Sequence, residues 1–279
     1  MFHLKQFQNY YDIKPGECPR DFFVIFDDTP GKNRAICRFD HPFIVHLGAN
    51  GKRNVGVSVS QISLANAPMN ISAKNHTSMF FIGEDKKKIT LRDGYYESMK
   101  QFITEVQLQA DASGGNFDLS FDHLGYCTYS GSQPVFFPVA FKDELIPDNH
   151  VVRLGFSKNL TDTDEEAHLT EIEGFSCLRI ENSTKAIGLG DFFGPFADAL
   201  LTCDQAIFTK ETQKVLGVFG LACRPSRSYF QSVAQPKFRA LHESAEISEL
   251  TFSLRDRFNR EIDFVAGTPC ATVNLMHLG

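Results

Sequence analysis

Apolar residues recur at every second position in short runs along the chain, and this is the period of a β-strand with one buried face. Gly, Pro, Asn and Asp are frequent between the runs. The runs cover residues 43–47, 55–59, 117–121, 152–156, 250–254 and 273–275. Many short strands separated by turn residues predict an antiparallel β-sandwich or barrel.

The run that begins at Val55 changes phase within one predicted strand. Val55, Val57 and Val59 share one face, whereas the next apolar residues are Ile62 and Leu64. A shift of one residue in a long strand predicts a β-bulge, which inserts one extra residue opposite the partner strand. The strand is expected to end at residues 67–70.

One segment has the period of an amphipathic helix instead. Its apolar positions, at i, i+4, i+7, i+8, i+11 and i+15, are Tyr95, Met99, Phe102, Ile103, Val106 and Ala110. Asp93 is the candidate N-cap, and the Gly114–Gly115 pair is expected to end the helix. A second, weaker helix is predicted to begin at Asp191 and to bury Phe192, Phe196 and Leu200.

Residues 1–38 are predicted to form an N-terminal arm, because turn-forming residues are dense there and only residues 22–26 form an apolar run. Residues 39–279 are assigned to the main β domain. Residues 65–150 are either an insertion into that domain or part of its sandwich.

The composition is rich in phenylalanine, with 27 Phe and no Trp. Adjacent Phe residues on a strand place one ring on each face of the sheet. Three such pairs occur, at residues 80–81, 136–137 and 192–193. Some of these rings therefore need either a second layer or a partner surface to cover them.

Charge and cysteine content exclude several classes of function. The net charge of −6 argues against a nucleic-acid partner, which requires a basic face. The seven cysteines are widely spaced and form no C-x-x-C motif, so we expect reduced thiols in a protein made in the nucleus or cytoplasm. No secretory signal peptide and no membrane span are predicted.

Four groups of residues have spacings worth testing as chemical sites. Residues 188–194 contain three glycines, but their spacing is not that of a phosphate loop, and we interpret them as a turn before a short helix. Cys18, Cys37, His41 and His46 lack the paired spacing of a zinc site. The acidic group of Asp162, Asp164, Glu165 and Glu166 lacks the spacing of a calcium loop and is interpreted as a solvated loop.

The fourth group is Cys127 with His123, a candidate nucleophile and base. On a strand, residues four apart do not meet, and an activated thiolate needs a cationic neighbour or a helix N-terminus. We therefore predict no catalytic residue, no cofactor site and no metal site, and we do not expect an enzyme.

Two stretches carry a family resemblance. The first combines RNVGVSVSQISLANAPMNIS (53–72), KKITLRDGYYESMKQFITEV (87–106) and VVRLGF (151–156). The second is residues 235–278, where a strand ends in an Asp-centred turn and a last apolar strand follows. In their order and spacing these blocks resemble the penton (vertex, minor capsid) proteins of polintons, adintoviruses and virophages.

The resemblance implies an all-β jelly-roll β-sandwich, with one amphipathic helix insertion and, as an option, a second small β-rich insertion domain. Such a subunit would form a homopentamer at the five-fold vertex of an icosahedral virion, beside the major capsid protein. A host receptor or a fibre is a further partner in this interpretation, and the arm would latch beneath the shell. The alternative from the residues alone is an attachment or lectin-like β-sandwich of a virion.

Overall fold

A computed structural model describes residues 20–26, 34–45, 54–64, 68–112, 114, 116–156, 169–191, 198–207, 214–221, 229–242, 244–264 and 267–278. The chain divides into two compact units. Unit 1 comprises Met1–Pro68 and Asp198–Gly279, and unit 2 comprises Met69–Ala197.

Unit 1 is built from strands alone among its described residues. Before the insertion they are β1 (Arg20–Ile25), β2 (Arg34–Val45) and β3 (Val55–Leu64). After it they are β13 (Asp198–Cys203), β14 (Val215–Gly220), β15 (Tyr229–Ser232), β16 (Arg239–Ala240), β17 (Ser244–Arg255) and β18 (Cys270–His277).

These strands form two antiparallel sheets with a jelly-roll topology. One sheet has the order β1-β18-β3-β15, with the short β16 also paired to β3, and the other has the order β14-β13-β17-β2. If the eight main strands are numbered along the chain, the orders become 1-8-3-6 and 5-4-7-2. This is the pattern of two interleaved Greek keys in a jelly roll, so the predicted all-β jelly-roll sandwich is confirmed.

Alternation along the strands places the core of unit 1 between the two sheets. On β1, Phe22 and Val24 are buried while Phe23 is exposed. The Phe22 ring lies 6.2 Å from that of Phe39 on β2 and 6.4 Å from that of Phe252 on β17, so it joins the two sheets. Full burial of such side chains contributes about 1.5–3 kcal/mol each.

The predicted bulge is present in β3. The pairing of β3 with β18 shifts register between Thr272 and Val273, which leaves Ser60 as the extra residue between Val59 and Gln61. Both Val59 and Ile62 consequently face the core and are almost fully buried.

Two sequence-based assignments in unit 1 differ from the structure. All of β1 and the start of β2 fall within residues 1–38, so the jelly roll begins at residue 20 rather than at residue 39; residues 1–19 lie outside the described residues. The turn-forming residues flank β1, whose partner β18 lies at the other end of the chain. The predicted second helix is wrong at Leu200, which lies in β13; residues 192–197 lie outside the described residues.

Unit 2 is inserted between β3 and β13 and combines short strands with two helices. Its first elements are β4 (Met79–Ile82), β5 (Lys87–Thr90), α1 (Met99–Ala112), β6 (Leu119–Phe121), β7 (Tyr126–Tyr129) and β8 (Val135–Phe141). They are followed by β9 (Glu144–Leu145), α2 (His150–Arg153), β10 (Leu169–Ile172), β11 (Phe175–Ile180) and β12 (Thr184–Leu189). This unit extends beyond the predicted insertion of residues 65–150, because β11 pairs back onto β8 and β12 onto β7, while β10 pairs with β11.

The main sheet of unit 2 is covered on both faces. Its order is β10-β11-β8-β4-β5, with β9 paired to β8, and a second sheet has the order β12-β7-β6. Phe80 and Phe137 belong to one apolar cluster, whereas their neighbours Phe81 and Phe136 belong to another. All four rings are fully buried, so the second layer that these pairs require lies inside the unit. The third pair, residues 192–193, lies outside the described residues.

The predicted amphipathic helix is α1, which buries Phe102, Val106 and Ala110. Its cap is Ser98 rather than Asp93: Ser98 Oγ accepts from the Gln101 amide over 3.2 Å. Asp93 instead accepts the Ala73 amide at 2.9 Å. Neither α1 nor α2 has the length and apolar character to cross a membrane, and the described residues hold no other helix.

Candidate functional site

The structure separates the two members of the proposed nucleophile pair. Cys127 lies on β7 within an apolar cluster, whereas His123 is exposed in the turn that precedes this strand. Burial raises the pKa of the Cys127 thiol to about 12. A thiol in this environment stays protonated near neutral pH, which is the opposite of the activation that a nucleophile requires.

The zinc and calcium candidates fall largely outside the described residues. Cys18, His46 and residues 162–166 lie there, and of the zinc set Cys37 alone has a described side chain. Burial raises the pKa of Cys37 to about 11. Within the described part of the chain, no group of three or more His, Cys, Asp or Glu side chains could hold a metal ion.

The two described glycines of the glycine-rich run, Gly188 and Gly190, allow close packing of the backbone. Gly188 lies in β12 rather than in the predicted turn, and its amide donates to the Gly155 carbonyl over 2.9 Å; residues 192–194 of the run lie outside the described residues. A Cβ on Gly155 would lie 2.3 Å from the Gly188 oxygen, and a Cβ on Gly190 would lie 2.9 Å from the Arg153 oxygen. The glycines therefore allow two backbone segments to approach closely.

A polar cleft of about 650 Å³ lies beside the first turn of α1. Its walls come from the segment before the helix and from the exposed side of the helix, and its lining includes Arg92, Tyr95, Lys100, Thr104 and Glu105. Tyr95 is half-buried. A volume of this size lies within the range of small-ligand pockets.

An ion pair fixes one wall of the cleft. Arg92 donates from Nε and Nη2 to the two carboxylate oxygens of Glu105, over 3.0 and 2.8 Å, and Gln109 donates to the same carboxylate at 3.0 Å. The hydrogen bonds from Arg92 lower the pKa of Glu105, so the carboxylate is ionised at neutral pH. The pair orders the wall but offers no group that would act as a base.

A buried polar cluster around α2 is the feature that sequence reasoning missed. Asp148 and Arg153 form an ion pair at 2.8 Å, and their side chains are 0% and 1% exposed. His150 is also buried, with Nε2 at 2.7 Å from the Thr77 carbonyl, and its ring lies 5.0 Å from that of Phe102. The apolar residues of the VVRLGF segment alternate with a period of two, which predicts a strand rather than the helix α2. Asn149, whose side chain accepts the Val152 amide at 3.1 Å, is an N-cap residue that could have indicated the helix.

No family model matches the chain, and no curated protein sequence matches it. Among solved structures, the chain is similar to the mavirus penton protein, with a TM-score of 0.43 and 10% identity over 94% of this chain and 100% of the other. It is also similar to a chain of the Sputnik virophage from its 3.5 Å cryo-EM structure, with a TM-score of 0.38 and 8% identity over 95% and 98% of the two chains.

Proposed function

We propose that this protein is a structural subunit of a virion, and that five copies form a penton-like ring at the five-fold vertex of an icosahedral capsid. In that position its neighbours are other copies of itself and the major capsid protein. In the same proposal, a host receptor or a fibre binds the outward-facing surface of the ring.

The observation that carries the proposal is the strand order of unit 1. The orders β1-β18-β3-β15 and β14-β13-β17-β2 define a jelly roll. The sequence blocks that resemble penton proteins include three strands of this same unit, β3, β17 and β18. Fold alone does not assign a function, and the blocks supply the link to the vertex.

The chemistry of the described residues supports a structural role rather than catalysis. Cys127, the best candidate nucleophile, has a buried thiol with a raised pKa and no histidine partner nearby in the strand. In the ion pair that lines the cleft, Arg92 donates to both carboxylate oxygens of Glu105. We therefore assign no reaction to this chain.

Sedimentation velocity on the purified full chain tests the proposal. The expected species has a mass of about 156 kDa, five times the 31.3 kDa of one chain. If the purified major capsid protein is required for the ring, the five-copy species appears on mixing the two proteins. A stable monomer or a closed dimer under both conditions contradicts the proposal.

A second candidate function, attachment to a carbohydrate, is favoured by the polar cleft beside α1. Ser98 and Thr104 add hydroxyl groups to the charged wall of Arg92 and Glu105, and Tyr95 adds an aromatic ring. Glycan-array binding by the full chain that is lost in Tyr95→Ala would support this function. An array signal at background level excludes it.

A further inference from the structure

The exposed apolar side chains of the jelly-roll unit are unevenly distributed. Among its described strand residues, every large apolar side chain that is strongly exposed lies on an edge strand. These residues are Phe23 and Ile25 on β1, Ile36 and Ile44 on β2, Val218 on β14, and Phe230 on β15. The four central strands carry none, although each also has an outward face.

The sheet orders sort these residues into two opposite sides of the sandwich. β1 and β2 lie at one end of their sheets, and the Phe22–Phe39 ring contact joins them. β14 and β15 lie at the other end. Three strand spacings of about 4.8 Å separate the two ends of each sheet. We call these sides the β1/β2 flank and the β14/β15 flank.

Between the exposed apolar residues the outer surface of the β1 sheet is polar and uncharged, while Asp21 on β1 adds one exposed carboxylate on the same face as Phe23. The residues of β18 and β3 that lie beside Phe23 in the register are Thr272 and Gln61, and those beside Ile25 are Cys270 and Ser63. Phe230 is in turn paired with Ser63. Apolar side chains therefore mark the two edges of a sheet surface whose residues between Phe23, Ile25 and Phe230 are uncharged.

We infer that the β1/β2 flank of one copy packs against the β14/β15 flank of a second copy of the same chain, and that repetition of this contact closes the ring. This inference rests on the proposed function and adds the surfaces that carry it. A head-to-tail contact uses two different patches on each subunit, and a closed ring leaves neither exposed. A single partner on one side would cover only one of the two flanks.

The electrostatics of the flanks fit this contact. β14 (VLGVFG) and β15 (YFQS) contain no Asp, Glu, Lys, Arg or His. On the β1/β2 flank, Arg34 is paired with Glu261 at 2.9 Å and Arg38 with Glu249 at 3.4 Å. Because these two arginines are already paired within the chain, a neutral surface can cover them without leaving either charge unpaired. Asp21 on β1 is a further exposed charge of this flank, and the contact must leave it hydrated.

The apolar area is of the right order for the centre of an interface. A Phe side chain contributes about 150–250 Å² when fully buried, and Phe23 and Phe230 are 63% and 62% exposed. Each ring therefore exposes roughly 100–150 Å² of apolar surface. A standard interface buries about 800 Å² on each partner. Aromatic residues at the centre of a contact often dominate its affinity.

The test compares three variants by sedimentation velocity over a range of concentrations. Phe23→Ser damages the β1/β2 flank, and Phe230→Ser damages the β14/β15 flank. Phe258→Ser is the matched control, since this ring is also exposed on unit 1 but lies in a turn after β17. Because all three rings are exposed, we expect the urea midpoint of each variant to stay close to that of wild type.

We expect each flank variant to raise the concentration for half-assembly of the ring at least about 30-fold, the change that corresponds to loss of an interface hot spot. Phe258→Ser should assemble like wild type. A mixture of the two flank variants should form a heterodimer and no ring, because the pair retains one intact contact. Dimers of either variant alone would reveal a symmetric contact and overturn the inference.

The outcomes separate this inference from the proposed function. If wild type forms a five-copy ring and both flank variants assemble equally well, the ring stands and the flank contact is wrong. If the flank variants lose binding to the major capsid protein while their own rings persist, the flanks bind that protein instead and the inference is also wrong. If wild type forms no ring with or without the major capsid protein, both proposals fail.

Discussion

Arg153 is the largest fully buried side chain among the described residues, and its charge is balanced inside the unit. It donates from Nη2 to the Asp148 carboxylate over 2.8 Å and from Nε to the Asp148 carbonyl over 2.7 Å. Removing both charges from a buried pair is often neutral, whereas removing one leaves the other charge buried without its partner. The pair therefore makes the region around α2 sensitive to single substitutions.

Arg153→Met should lower the free energy of unfolding by about 3–5 kcal/mol, because Asp148 is then a buried carboxylate without its counterion. The double variant Asp148→Leu/Arg153→Met should recover much of this loss. Urea titration of the three proteins measures both effects. A double variant less stable than Arg153→Met would show that the pair is not the dominant interaction.

His150 gives the fold a pH dependence. Burial lowers its pKa from 6.5 to about 3; Arg153 acts in the same direction, while the Thr77 carbonyl and Asp148 oppose it. Above pH 6.5 the imidazole is neutral in both states. Below pH 6.5 the unfolded chain binds a proton that the folded chain rejects until about pH 3, so stability falls by up to about 1.4 kcal/mol for each pH unit in this window.

Urea unfolding of wild type and His150→Gln at pH 7.5, 6.0 and 5.0 tests this dependence. Glutamine retains a donor for the Thr77 carbonyl but does not titrate, so the decline in stability below pH 6.5 should be shallower in the variant. His123→Gln, which changes an exposed histidine of the same unit, is the control. Equal slopes for wild type and His150→Gln would contradict the assignment.

At the scale of elements, the junction between α2 and β12 depends on two glycines in contact. Gly155 has a φ of +78° and follows the last turn of α2, and its carbonyl accepts from Gly188. Both the backbone conformation and the close approach exclude a side chain there. Gly114, after α1, has a φ of +79° and no atom within 4 Å of the position of a Cβ.

Gly114 and Gly155, which share a positive φ but differ in the space around a Cβ, support a matched prediction. Gly114→Ala should cost about 1–2 kcal/mol, the price of a left-handed conformation for an L-residue. Gly155→Ala should cost clearly more, because its Cβ would also lie 2.3 Å from the Gly188 oxygen. Unfolding free energies measure both variants, and an equal loss would show that the close approach relaxes without cost.

The same scale shows what the sequence can and cannot predict. The period of Phe102, Val106 and Ala110 located α1, and the phase change after Val59 located the bulge. Each of these signals lies within one short segment of the sequence. Two sets of contacts were not local. β1 is held by β18, which follows it by more than 240 residues, and the extent of unit 2 depends on β11 and β12 pairing with the earlier strands β8 and β7.

The candidate site was less predictable than the fold. Spacing alone indicated that Cys127 and His123, four residues apart on a strand, would not meet, and the structure places one buried and the other exposed. The cleft beside α1 combines the segment before the helix with the first two turns of the helix, and its ion pair joins residues 13 apart, Arg92 and Glu105. Nothing in the local pattern indicates that these two side chains meet.

At the scale of the whole molecule, the jelly roll places its apolar surface at the sheet edges, where another copy can reach it. Edge strands usually carry charges, prolines or bulges that discourage association. β2 has two register shifts against β17 and a proline at position 42. β14 contains no proline and no charged residue, and it has one register shift against β13. The β14/β15 flank is thus the less protected of the two, which is consistent with a role in assembly.

Electron microscopy of the purified full chain, with and without the major capsid protein, tests the central claim most directly. Image classes averaged without imposed symmetry should show rings of five equivalent subunits, with one jelly-roll unit per subunit. Classes that show only single particles, two-fold dimers or rings of another number under both conditions would contradict a vertex subunit of an icosahedral shell.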